Sequence, residues 1–181
     1  MKRSLKDKVV WITGAGSGIG QNAAITLSNL GMKVILSGRD EKKLEITSNQ
    51  CVNNTIIKPL DVSDNDKVES VSESIIREFK KIDILINSAG TNVEHRDWDV
   101  INKSDWDNIF NTNVNGLFYC CKSTLPHMKK EKDGLIINIS SWAGREVSLL
   151  SGVTYTSSKH AVNAMTETIN MKYCNFGIRA C

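Results

Sequence analysis

Lys8-Val-Val-Trp-Ile-Thr-Gly-Ala-Gly-Ser-Gly-Ile-Gly20 is the stretch that decides the fold. Lys8 to Thr13 is a short apolar run, it stops at a glycine loop, and Asn22 to Leu30 is helical in character. A strand, a glycine loop and a helix in that order bring backbone amides and the positive end of a helix dipole to one place, where a pyrophosphate can be met. The spacing of Gly14, Gly18 and Gly20 departs from the strict Gly-x-Gly-x-x-Gly fingerprint. Dinucleotide binding is therefore read from the loop's placement, with Gly14, Ser17, Gly18, Ile19 and Gly20 as candidate cofactor-binding residues.

Downstream, Met32 to Ser37 reads as a second buried strand, followed by Gly38-Arg39-Asp40 where such folds meet the adenosine ribose. Gly38 clears space there, and Arg39 offers a planar donor fork suited to a 2′-phosphate, which favours NADP(H). Asp40 keeps NAD(H) open as the alternative, since a shift of one residue would bring a carboxylate to the ribose instead. Glu41 to Gln50 is a charged helix, and Thr55 to Leu60 is a third strand closed by Asp61-Val62, where a carboxylate could accept from an adenine amino group. Ser63 or Asp64 caps a helix to about Phe79, and Ile82 to Ile86 is a fourth strand. It ends at Asn87-Ser-Ala-Gly90, whose small residues leave room for a cofactor at Asn87, Ala89 and Gly90. Strands nearly continuous in Val, Ile and Leu, alternating with helices, call for an α/β fold with a doubly wound parallel sheet and helices on both faces.

Residues 91–103 lack periodicity and read as a loop on the ligand side of the sheet, containing His95, Arg96, Asp97 and Trp98. From Ser104-Asp105 a long helix runs to about Lys130, and Asn111, Asn113 and Asn115 within it compete for backbone hydrogen bonds, which predicts a local distortion. A fifth strand follows at Gly134 to Ser140, then a helix over Val153 to Asn175, and Ile178 to Cys181 looks like a sixth strand just begun. Tyr155 and Lys159, four apart, share one helix face. An ammonium about 5 Å from a phenol, at an effective dielectric of about 20, favours the phenolate by roughly 3 kcal/mol. That geometry would make the Tyr155 phenol an acid.

With 181 residues, 40% of them apolar, the chain is long enough for one domain with a sizeable core and short for two, so residues 1–181 are expected to form a single domain. The 23 basic and 20 acidic residues are scattered without a basic stripe, which argues against nucleic acid as a partner. No apolar run approaches the roughly 18 residues of a membrane span, and the start has no signal-peptide apolar region, so a cytoplasmic protein without membrane contact is expected. Cys51, Cys120, Cys121, Cys174 and Cys181 include no Cys-x-x-Cys pair, and neither a disulfide framework nor a metal site is indicated.

Taken together, Thr13-Gly-x-x-x-Gly-Ile-Gly20, Asn87-Ser-Ala-Gly90, Asn113, Ser141 and Tyr155-x-x-x-Lys159 resemble the short-chain dehydrogenase/reductase family over the whole chain. The resemblance implies a Rossmann-like oxidoreductase that interconverts a small-molecule carbonyl and an alcohol. In it Tyr155 is the catalytic acid or base, Lys159 eases the deprotonation of Tyr155 and holds the nicotinamide ribose, and Ser141 hydrogen-bonds the substrate oxygen. Asn113 completes a proton relay, and the long helices form a homo-oligomer interface. Ser88 stands where the family usually has a second Asn. The family also continues with a Pro-Gly turn, a substrate-covering segment and a last strand, so the chain is expected to be C-terminally incomplete, its sheet lacking the family's last strand or strands. The other reading is a truncated or non-catalytic dinucleotide-binding relative.

Overall fold

A computed structural model describes residues 4–53, 55–147 and 149–181. Six parallel strands form one sheet in the order β3-β2-β1-β4-β5-β6, with β1 Val9–Thr13, β2 Lys33–Ser37, β3 Ile56–Ile57, β4 Ile84–Asn87, β5 Gly134–Asn138 and β6 Ile178–Ala180. All five residues of β1 are buried, because this strand has a neighbour on each edge and helices on each face. Its alternation feeds two cores. Val9 and Trp11 join Ile35, Leu85 and Ile136 on one face, whereas Val10 and Ile12 join Val34, Leu36, Ile84 and Ile86 on the other. The first face is covered by α3 Asn65–Phe79, α5 Gly116–Glu131 and α6 Val153–Tyr173, through residues such as Ile75, Met128 and Val162. The second is covered by α1 Gly18–Asn29 and α2 Glu41–Asn49, through Ala24 and Leu44.

Strand β3 is shorter than the expected Thr55 to Leu60. Beyond Ile57, Lys58 N and Leu60 N still donate to Leu36 O and Gly38 O, so the chain runs beside β2 without regular pairing. The expected distortion of the long helix is a π turn at Asn111–Asn115, between α4 Lys103–Phe110 and α5. Of the two candidate caps for α3, Asp64 fills the position, accepting from Lys67 N at 3.0 Å. Among the described residues no helix is long and apolar enough to cross a membrane.

Asp83 fastens the N-terminal ends of β1 and β4. It accepts from Val9 N at 2.8 Å and from the ammonium groups of Lys8 and Lys81 at 2.7 and 3.1 Å. Burial pushes its carboxyl up, but these donors outweigh burial and hold it below the usual range. A depressed folded value means that its stabilisation is present above the unfolded value of about 3.9 and is lost as pH falls through the folded one. Asp83→Ala is therefore expected to cost about 2 kcal/mol in urea unfolding at pH 7, with the difference shrinking toward pH ~3. A change under about 0.5 kcal/mol would mean that solvent serves these donors equally well.

Candidate active site

The strand order reverses at β1, and the crevice lies where β1, β2, β4 and β5 end. The glycine loop approaches the β4 terminus so closely that a Cβ on Gly14, which adopts φ +65°, would stand 2.7 Å from Ala89 N. Gly20 lies behind it, against the Gly14 carbonyl. Helix α1 starts differently from its neighbours. Asp40, Asp64 and Asn102 cap α2, α3 and α4 with side-chain oxygens, whereas Ser17 at the start of α1 makes no capping bond, and the first turn carries no acid. Open amides, together with clear space around Gly18, suit an anion such as a pyrophosphate.

Two cavities meet along Gly14, Ser17, Ala89 and Gly90. The first, of about 190 Å³, carries Arg39, Asp61 and Val62 on its wall, with Asp40 and Lys43 beside them. Arg39 is exposed and has no hydrogen bond or ion pair among the described residues. The Asp40 carboxylate, by contrast, accepts from Lys43 N at 3.2 Å as the α2 cap. Asp61 accepts from Ser63 N and Oγ.

The second cavity, of about 570 Å³, holds Gly18, Ile19, Tyr155 and Lys159. Lys159 is 5% exposed, and its ammonium donates to Ile139 O at 2.7 Å and stands 5.5 Å from the centre of the Tyr155 ring. No acid pairs with it among the described residues, and burial lowers its pKa. Ser140 lines this cavity, whereas its neighbour Ser141 accepts from Ala143 N at 3.2 Å and opens the 3-10 turn Trp142–Gly144.

Asn113 stands behind the wall. Its amide group accepts from Thr91 N at 2.8 Å and donates to Thr91 O at 2.9 Å and to Ser158 Oγ at 3.2 Å, and Ser158 in turn donates to Tyr155 O. The π turn thus ties the loop after β4 to the helical turn that carries Tyr155. A Cβ on Gly90 would meet both Asn113 Oδ1 and Lys159 Nζ, at 3.5 and 3.7 Å. Asn87 lies inside the sheet, its Nδ2 donating to Asn138 Oδ1 at 2.9 Å, and reaches neither cavity. His95 is exposed and lines neither, while Arg96 from the same loop does. Sequence reasoning did not single out Lys43, Thr91, Asn92, Ser140 or Ser151 as site residues. The available signal was their place in or just beyond the loops at strand C-terminal ends.

A family model described as short chain dehydrogenase matches residues 8–181. An uncharacterized oxidoreductase of Staphylococcus aureus strain MRSA252 is 34% identical over 178 residues, which cover 97% of this chain and 75% of that protein. The mouse dehydrogenase/reductase SDR family member 7 is 36% identical over 186 residues, covering 98% of this chain and 54% of the mouse protein. Among solved structures, a metagenomic short-chain oxidoreductase in complex with NADP matches with a TM-score of 0.93 and 28% identity, over 98% of this chain and 81% of its own. A Burkholderia phymatum short chain dehydrogenase/reductase in complex with NAD matches with a TM-score of 0.92 and 30% identity, over 98% and 65%.

Proposed function

The chain belongs to the short chain dehydrogenase family, and we propose that it interconverts a carbonyl and a secondary alcohol with NADP(H), Tyr155 acting as general acid and base. The observation that carries this reading is that Tyr155 and Lys159 share one cavity with the glycine loop. The bound dinucleotide supplies or accepts the hydride. Gly14, Ser17, Gly18 and Ile19 meet its pyrophosphate, with Gly20 allowing the close approach of loop to helix. Asp61 and Val62 receive the adenine, while Ala89 and Gly90 form the floor beneath the nicotinamide side, and Asn87, which reaches neither cavity, supports them from inside the sheet through Asn138.

On the substrate side, Tyr155 gives its proton to the oxygen of a carbonyl being reduced and takes it back in the reverse direction. Lys159 favours the ionised phenol and binds the nicotinamide ribose. Ser141 donates its hydroxyl proton to the substrate oxygen while its own oxygen accepts from Ala143 N, and Asn113 completes the proton relay while its amide holds Thr91 and Ser158 in place. Leu117, Phe118, Met165 and Ile169, along a groove between α5 and α6, form the face through which two copies associate.

Arg39 selects the cofactor, since its guanidinium is unengaged among the described residues while the Asp40 carboxylate caps α2. NADPH and NADH are titrated calorimetrically into the wild type and Arg39→Ala, and oxidation of each is then followed with a panel of ketones. The variant is expected to bind NADPH about 1.5 to 3 kcal/mol more weakly and NADH nearly unchanged. Equal losses would return NAD(H) as the cofactor. Tight binding without turnover of any ketone would return the non-catalytic reading.

A further inference from the structure

We propose that Arg96 forms a carboxylate subsite in the catalytic cavity, so that the substrate is a short oxo acid or the matching hydroxy acid. The inference rests on the carbonyl–alcohol reading above and adds the chemical class to it.

Arg96 lines the same cavity as Tyr155 and Lys159, half-buried, with no hydrogen bond or ion pair among the described residues. An arginine whose stem is packed and whose guanidinium has no partner is poised for an anion. No Asp or Glu lines that cavity among the described residues, so nothing within it neutralises the charge. The side chain is also held. Gly152 adopts φ +78° directly under it, and a Cβ there would stand 2.5 Å from Arg96 Cβ and 2.7 Å from its Cγ. Asn92 Nδ2 donates to Ser151 O at 3.2 Å and ties the two loops together at this point. Since Gly152 immediately precedes α6, the stem of Arg96 lies beside the first turn of the helix that carries Tyr155.

Other anions are better served elsewhere. The pyrophosphate of the cofactor faces the open amides of α1, and Arg39 in the other cavity is available to a 2′-phosphate. A substrate phosphate dianion calls for more than one free cation, and the other cation that lines the cavity among the described residues, Lys159, stands beside Tyr155, where it serves the phenol and the nicotinamide ribose. One unengaged planar fork matches a carboxylate. Held there, an oxo acid presents its carbonyl toward Tyr155. In that pose Tyr155 would give its proton to the carbonyl oxygen and a bound reduced dinucleotide would supply the hydride to the carbonyl carbon, while Arg96 stays outside the bond changes.

The test compares the wild type with Arg96→Met, which keeps a stem over Gly152, and Arg96→Lys, which keeps the charge without the fork. Butyrate and butyramide are titrated into each NADPH complex, and kcat/KM is measured for acetoacetate, ethyl acetoacetate and dihydroxyacetone phosphate. The wild type is expected to bind butyrate at least about tenfold more tightly than butyramide and to prefer acetoacetate to its ester by about a hundredfold. Arg96→Met should bring both ratios close to one, with Arg96→Lys between, and should leave NADPH affinity within about threefold. Equal binding of butyrate and butyramide by the wild type, discrimination that survives in Arg96→Met, or a preference for the phosphorylated ketone overturns the inference. A parallel loss of NADPH affinity also does so, by making Arg96 a cofactor ligand. Butyrate discrimination that depends on Arg96 in a protein that reduces no ketone supports the subsite and sinks the reading of the reaction instead.

Discussion

Tyr155→Phe is expected to lower ketone reduction by at least about a thousandfold while NADPH affinity stays within about threefold. Among the side chains that line the catalytic cavity, the phenol is the acid able to give up a proton to a developing alkoxide; the hydroxyls of Ser, Thr and the amides there are far weaker acids. Lys159 carries three ammonium protons, one of them given to Ile139 O, but it stands 5.5 Å from the centre of the Tyr155 ring, which makes it a partner of the phenol rather than a substitute for it. Phe keeps the ring under Lys159 and removes only the hydroxyl. The backbone carbonyl of residue 155, which accepts from Ser158 Oγ at 2.7 Å, is untouched, so the α6 turn and its link to Asn113 should persist. Single-turnover oxidation of bound NADPH isolates the chemical step from cofactor binding. A variant that retains a tenth of the wild-type rate at neutral pH would mean that solvent or another group supplies the proton.

Which parts of this arrangement could be read in advance follows from the range of the interactions that make them. The parallel sheet was legible because each strand carries its own apolar run, and burial on both faces demands nothing of distant sequence. The π turn was legible for a similar reason: three asparagines within five residues compete locally with the helix ladder. The cap of α2 is also local, but Asp40 was weighed as a ribose ligand, and its competing use at Lys43 N was not seen. Arg96 was placed in the right loop and given no role, because what fixes it is Gly152, a contact across 56 positions that no periodicity reports. The two serines show the same limit at finer grain. Ser140 and Ser141 are equivalent as letters, and only the turn after β5 sets them apart: Ser140 lines the cavity, while the Ser141 oxygen accepts from Ala143 N and keeps its hydroxyl proton to give.

Lys159→Met is expected to separate activity from stability. Removing a cation about 5 Å from the phenol forfeits roughly 3 kcal/mol of support for the ionised form, or about a hundredfold in rate, before any loss of ribose positioning is counted. The fold should not suffer in proportion. The ammonium is buried with a single carbonyl partner and no carboxylate among the described residues, so Met, of similar length, gives up one hydrogen bond and relieves the burial of a charge. The melting temperature is expected to stay level or rise. The pH dependence carries the sign of the same argument. Burial lowers the folded pKa of Lys159, so between that value and the unfolded one near ~10.4 the unfolded chain binds more protons and stability rises with pH. Relative to Lys159→Met, the wild type should therefore gain stability as pH climbs through that window and show a constant penalty below it. Urea unfolding of both proteins from pH 6 to pH 10.5 measures the difference. A wild type that loses ground to the variant as pH rises would mean that Lys159 is stabilised in its charged form by its surroundings, and the cavity would then have to hold an anion close to it.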